Sequence, residues 1–400
     1  MTTIVVGAGI LGLSVAVHLL RQGNDRVVVV DAANPADATT GAGAGFVGLW
    51  AAGYADFFTA TDLALEQYGI DFYRQLAEGA DIGCRTNGNL YLATDDDGWR
   101  RWIAPIPDHP FAPPETRTLD AADVTRVTDG AVATGAVVGG VLHPGGIQIS
   151  AGRATRAMAA QARALGAELR PHTRVTGLLT SDGAVTGIRT EHGDLPADQV
   201  VLASGAWTND LLAEVGYRVP LLRIVASRVV SPRSGVSARL PTIMVPDHFG
   251  LWVREHRGGL TYGNGDGYAP LSDLSGRAQP TGRRPVFPEL IDRLGTKLVP
   301  RLRKLLPDAD ISAGYWLQGI PCMTPDRRFL AGPVPGAPGL SVLAGDNEAG
   351  VTHGPGLGRV VAGLLTGTEW VDPGSYRLER FDPAEFPTEQ AIQAAMPARR

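Results

Sequence analysis

A β-branched run at residues 3–6 is followed without a gap by Gly7-Ala8-Gly9-Ile10-Leu11-Gly12, and this opening constrains the chain more than any other segment. Apolar residues then recur at helical spacing (Leu11, Val15, Leu19) until Gly23. Residues 27–30 are four consecutive valines, and the run ends on Asp31. Strand, GxGxxG, helix, strand and acid in this order describe a dinucleotide-binding unit. Each residue type has a geometric reason. Gly7 permits the tight turn, Gly9 lets backbone approach a pyrophosphate, and Gly12 lets helix and strand pack closely. Ala8, Ile10 and Leu11 complete the turn into a helix whose first N–H groups and dipole favour phosphate. Asp31, with Ala32 after it, stands where a carboxylate accepts ribose hydroxyls.

Further along, the period of the pattern changes. Residues 60–79 and 152–165 have helical spacing, whereas 88–94, 168–169, 174–179, 185–191 and 199–207 read as strands. From 221 to 268 the chain alternates strongly around a hairpin turn at 257–259. Four hundred residues suggest two domains or one elaborate one. The changes of class point to interleaved domains, because the two strand types do not share one parallel sheet. The expected fold class is α/β, a Rossmann-like dinucleotide-binding domain interleaved with a mostly antiparallel β-sheet substrate domain. The boundaries expected are 1–85, 145–220 and 311–372 for the first, 86–144 and 221–310 for the second, and 373–400 as a tail.

Composition narrows the partners. The formal charge is −5 with no basic stripe, so a nucleic-acid partner is not expected. No apolar stretch approaches the roughly 18 residues of a membrane span, and a strand follows Met-Thr-Thr at once, so neither a membrane anchor nor a signal peptide is expected. Cys84 and Cys322 are far apart and lack metal-ligand spacing, which points to a reducing cytoplasm and to no metal.

The ordered segments resemble the flavin amine oxidoreductases of the D-amino-acid oxidase superfamily, a group that includes glycine oxidase, monomeric sarcosine oxidase and the dimethylglycine and sarcosine dehydrogenases. The likeness covers about residues 3–370. It rests on GAGILG at 7–12, TTGAGAG at 39–45, RVTGL at 174–178, VVLASGAW at 200–207, LWVREH at 251–256, GIPCMTPD at 319–326 and AGVTHGPGLG at 349–358. The resemblance implies FAD as the cofactor. Thr39 and Thr40 would meet its pyrophosphate and ribose, and Gly43 and Gly45 would let backbone lie close to the flavin. Val175 would hold adenine through its backbone. Ala203, Gly205 and Trp207 would end a strand at the crevice, with Gly319 facing it from a later segment. Gly350, Val351, Thr352 and His353 would precede an apolar helix whose dipole faces the flavin C2 carbonyl. The positions that attach flavin covalently in some relatives match Ala42 and Gly319, so non-covalent FAD is expected. Glycine oxidase's substrate arginine corresponds to Pro321, and the oxygen-activating lysine of monomeric sarcosine oxidase to Thr261. Relatives in the dimethylglycine branch carry a folate-binding region that this chain lacks, so no folate partner is expected.

On the substrate side, alternation puts Trp252, Arg254 and His256 on one face of a strand. Arg254 is expected to pair with a substrate carboxylate, with a structural ion pair to Glu255 or another acid as the competing account. His353 is a candidate for contact with flavin or substrate, against an ordinary hydrogen-bonded loop histidine. Trp50 and Tyr54 are candidates for the pocket wall, against core packing. The activity implied is hydride transfer from an amine or N-substituted amino acid to flavin N5, giving an imine that hydrolyses, with O2 or an electron carrier as acceptor. A 2-hydroxy-acid dehydrogenase on the same fold, and a flavoenzyme tailoring a larger biosynthetic intermediate, stay open.

Overall fold

The computed structural model describes residues 1–48, 59–113, 115–274 and 286–396. Its first sheet has six strands in the order Leu330–Pro333, Leu340–Ala344, Gln199–Leu202, Thr2–Val6, Arg26–Val30, Glu168–Arg170. All neighbours are parallel except the edge strand Leu330–Pro333, which runs antiparallel to Leu340–Ala344. The valine runs are buried on both faces, as a covered parallel sheet requires. Helices Ile10–Arg21, Ala60–Gly79, Ala151–Ala164 and Gly350–Thr366 pack together around a shared apolar core that includes Val5 and Val29. A small antiparallel sheet, Val175–Ser181, Ala184–Thr190 and Gly193–Pro196, packs with Ile4 and Val28 in another core.

The second large sheet has ten strands and is mostly antiparallel, with one parallel pairing between Thr242–Val245 and Asn89–Ala93. Alternation divides its side chains cleanly. Leu90, Ile243, Val253 and Tyr262 point into a separate core, so their sequence neighbours face the first sheet and the crevice between. The hairpin joining Leu251–His256 to Gly259–Gly263 turns on Arg257 and Gly258, both left-handed at φ 55° and 83°.

Three local expectations change. The strand at 199–207 stops at Leu202, and Gly205–Trp207 is a turn of 3-10 helix. Tyr315–Gly319, inside the stretch assigned to the cofactor domain, pairs with Leu222–Val230 in the antiparallel sheet. Gly350 through His353 do not precede the closing helix but form its first turn. That helix contains Pro355, whose missing N–H leaves the Val351 carbonyl without its usual helical donor. The Tyr73 hydroxyl donates to that carbonyl at 2.7 Å, so the helix continues through the proline.

Candidate functional site

A cavity of about 1280 Å3 runs between the two large sheets. That exceeds the ~300–1,000 Å3 typical of small-ligand pockets, so it has room for a dinucleotide and a second molecule. One end is built by the opening motif. Gly7 has φ 114°, and a Cβ there would stand 2.4 Å from the Ala203 carbonyl oxygen, so only glycine fits this turn. A Cβ on Gly12 would stand 1.9 Å from the Gly7 oxygen, so Gly12 packs behind the cavity rather than in its wall. Gly9, Ile10 and Leu11 line the wall, where the first-turn N–H groups of a helix lack intrahelical acceptors.

Asp31 lines the same end together with Ala32. Its Oδ2 accepts the Ala8 N–H at 2.7 Å and its Oδ1 the Ala33 N–H at 2.7 Å. The carboxylate therefore fastens the turn at this end of the cavity. Thr39 and Thr40 sit in a short helical turn, Thr39–Ala42, and both hydroxyls accept backbone N–H groups, from Ile320 at 3.0 Å and Ile10 at 3.2 Å. Gly43, Val175, Ala203, Gly205, Trp207 and Gly319 also line the cavity, with Gly350 and Val351 at the N-terminus of the closing helix. A narrow glycine-lined cradle with a carboxylate at one end and a helix N-terminus along its length fits an adenine dinucleotide. Ala42 and Gly319 face one another, since a Cβ on Gly319 would lie 3.2 Å from that of Ala42.

Gly45, Thr352 and His353 lie outside the cavity wall. Gly45 has φ 77°, and a Cβ there would meet the Ile149 oxygen at 2.2 Å. Thr352 is buried with its hydroxyl 3.4 Å from the Phe46 carbonyl. His353 is 1% exposed, with Nε2 3.4 Å from Glu66 Oε1 and its ring 4.9 Å from that of Phe329. Burial pushes its imidazole down to about 4. It belongs to the contact between the closing helix and Ala60–Gly79, outside the residues that line the cavity. His353 is thus a packed helix residue and not the hydrogen-bonded loop histidine of the competing account.

Across the cofactor loop, the antiparallel sheet contributes the opposite wall. Tyr91, Met244 and Trp252 are cross-strand neighbours in one register row and all line the cavity. Trp252 lies over Gly263, where a Cβ would be 3.1 Å from the indole, and its ring is 5.7 Å from that of Phe46. Trp252 therefore stands in the cavity wall. Arg254, two residues on, is not in the wall. It is 4% exposed and its Nε, Nη1 and Nη2 donate to the carbonyls of Ala44 (2.6 Å), Glu255 (2.8 Å) and Ile149 (3.2 Å). Its fork holds the cofactor loop from behind, and Glu255 pairs with Arg85 at 3.0 Å instead. Neither the expected carboxylate contact nor the competing side-chain ion pair describes this arrangement. Trp50 and Tyr54 lie outside the described residues.

Several wall residues escaped the sequence. Arg228 is 7% exposed and lines the cavity, donating from Nε to the Ala42 carbonyl at 2.7 Å and from Nη1 to the Thr261 hydroxyl at 2.9 Å. Arg101, Trp102 and His109 come from a connection after Asn89–Ala93. Asp346, Asn347 and Glu348 form a turn beside the closing helix, with left-handed Asn347 (φ 45°) and Glu348 (φ 67°). Asp346 holds it, accepting the N–H groups of Cys322 at 3.1 Å and Glu348 at 3.0 Å. Burial pushes the Asp346 carboxyl up to about 6, against the pull of those two donors. A repeated period of two in 222–230 was the only signal for Arg228, and it does not say which face meets the cavity. Among the described residues no group of His, Cys, Asp and Glu is arranged to hold a metal, and no helix is long and apolar enough to cross a membrane.

Comparison with known proteins agrees with this geometry. The family model described as FAD dependent oxidoreductase matches residues 2–364. The chain is 29% identical over 399 residues to 4-methylaminobutanoate oxidase (formaldehyde-forming) of Paenarthrobacter nicotinovorans, covering 95% of this chain but 45% of that protein. It is 28% identical over 390 residues to glycine oxidase of Pseudomonas putida, covering 94% of this chain and 98% of that one. Among solved structures, L-proline dehydrogenase from P. horikoshii superposes with a TM-score of 0.80 at 19% identity, over 96% of this chain and 97% of that chain, a likeness of fold alone.

Proposed function

Because the chain belongs to the FAD dependent oxidoreductase family, we propose that it oxidises the carbon–nitrogen bond of an amine or N-substituted amino acid. FAD, when bound, supplies the hydride acceptor; the protein's part is to bind, orient and exclude water. The residues of the cradle, Gly7 to Leu11, Asp31, Thr39, Thr40 and Gly350, would hold it. Ala42 and Gly319 offer no nucleophile between them, which supports non-covalent attachment.

The observation that carries the choice of bond is the row Tyr91, Met244 and Trp252. These side chains are large and mostly apolar, and the titratable groups of the same wall, among them His109, Asp346 and Glu348, lie outside this row. Oxidising a hydroxyl requires a base within hydrogen-bond reach of its proton. An uncharged amine needs none, because its own lone pair assists loss of hydride from the α-carbon. The apolar wall also favours the uncharged amine over its ammonium form. Relatives named for 4-methylaminobutanoate and glycine add support, since each of those compounds carries nitrogen beside the carbon to be oxidised. The test is product analysis with an electron acceptor present. The expected result is one carbonyl compound and one amine released per substrate consumed. A 2-oxo acid formed from a 2-hydroxy acid, with no amine turned over, would overturn the reading.

A further inference from the structure

Two guanidinium groups lie buried on the face of the antiparallel sheet that meets the cofactor loop. Arg228 stands in the cavity wall, anchored to the Ala42 carbonyl at 2.7 Å and the Thr261 hydroxyl at 2.9 Å. Arg254 stands one layer behind, anchored to the carbonyls of Ala44, Glu255 and Ile149. The two therefore grip neighbouring carbonyls of one loop, and each is more than nine-tenths buried. They also feel one another: burial first, and the charge of Arg228 second, push Arg254 down to about 9. Bringing two like charges out of water is costly, and the neighbouring carbonyl dipoles and the buried Glu255 carboxylate beside Arg254 work against that cost. Such an arrangement becomes favourable where negative charge develops in the space that Arg228 faces, since a charge fixed in advance acts there without reorganisation.

Arg228 lines the same cavity as the cradle that fits FAD, and uptake of a hydride lowers the charge of the flavin by one. We propose that Arg228, backed by Arg254, is the fixed positive charge that sets how readily the bound FAD accepts electrons. Arg228 is the member of the pair in the wall, and its anchorage to two protein acceptors suits a stationary charge better than a fork that must open to grip a substrate. The inference rests on the cofactor of the family and not on which bond of which substrate is oxidised.

The test uses FAD-loaded protein and sulfite, with no substrate present. Sulfite adds through its sulfur lone pair to the flavin, forming one N–S bond and leaving the added negative charge on the ring, with no other reactant. Arg228→Gln keeps a donor for the loop and removes the charge; Arg228→Lys keeps the charge and loses the planar fork. The expected result is sulfite affinity at least tenfold weaker in Arg228→Gln and within about threefold of wild type in Arg228→Lys. The flavin midpoint potential should fall in parallel by about 30 mV per tenfold for a two-electron couple in the Gln variant alone. A purely structural role predicts the reverse order, with Gln tolerated and Lys impaired, and that order would overturn the proposal. So would an unchanged potential in Arg228→Gln together with loss of kcat/KM confined to carboxylate-bearing amines, which would make Arg228 a substrate-binding group. If Arg228→Gln does not retain FAD, Arg228→Met provides the uncharged comparison under the same criteria.

Discussion

Arg254 uses every face of its guanidinium on backbone carbonyls, from Ala44, Glu255 and Ile149. Replacing it by methionine leaves three buried acceptors without a donor, at about 1–3 kcal/mol each. Arg254→Met is therefore expected to lose at least about 3 kcal/mol of stability and much of its FAD. A denaturant titration with measurement of retained flavin checks both. Wild-type stability and FAD content, with kcat/KM reduced only for acidic substrates, would restore the role expected from the sequence. The contrast with Asp31 shows where sequence reasoning reaches. The neighbours of Asp31 are fixed within one local unit, so its place at the cavity was legible from spacing. Two of the three partners of Arg254 come from residues 44 and 149, and only the sheet order reveals that they occupy it. The alternation around Arg228 does not say which face meets the cavity, and Tyr91 and Met244 reach the wall through a parallel pairing inside an otherwise antiparallel sheet.

Among elements, the closing helix Gly350–Thr366 does most to position the cofactor crevice. A Cβ on Gly358 would stand 2.4 Å from the Ser14 backbone, and one on Gly69 2.0 Å from the Thr352 oxygen, so the helix touches both neighbours backbone to backbone. The sequence GVTHGPG carries weak helix propensity, which is why it reads as a turn, although tertiary packing and the Tyr73 hydroxyl carry the helix through it. Gly358→Ala should push the first and closing helices apart, at about 1–3 kcal/mol for overpacking. Because Ile10–Arg21 opens on the cradle, FAD affinity should fall in the same variant. Equilibrium unfolding and flavin titration would detect this. Unchanged stability and affinity would show that the contact has room to yield.

Across the whole molecule, burial leaves several titratable groups away from their ordinary range. The imidazoles of His18, His143 and His353 are pushed down to about 4, mainly by burial, so they stay uncharged in the folded chain. An unfolded chain protonates them near 6.5. Between those values the unfolded state binds more protons, and stability falls as pH is lowered. Asp346 acts oppositely: pushed up to about 6, it is protonated when folded and favours folding as pH falls toward 4. With His256 pushed down to about 3 and His248 also lowered by burial, five imidazoles against one carboxyl leave a net loss between pH 6 and 4.5, at most about 1.4 kcal/mol per pH unit for each uncompensated proton. Denaturant titrations across this range should show stability declining with acid; a flat or rising profile would contradict the burial of these histidines. The two-sheet architecture itself was legible from the switch of period along the chain, because each sheet type imposes its own pattern. What did not show was the cavity between the sheets, since its wall is assembled from segments more than a hundred residues apart.

The central claim is that this cavity presents a carbon–nitrogen bond, and not a carbon–oxygen bond, to FAD. Anaerobic mixing of the FAD-loaded protein with matched pairs, an amino acid or N-methyl amino acid against the 2-hydroxy acid of the same skeleton, tests it most directly. Loss of the oxidised flavin absorbance with at least one amine, and none with its hydroxy partner, is the predicted result. Bleaching by the hydroxy acids while every amine leaves the spectrum unchanged would contradict it.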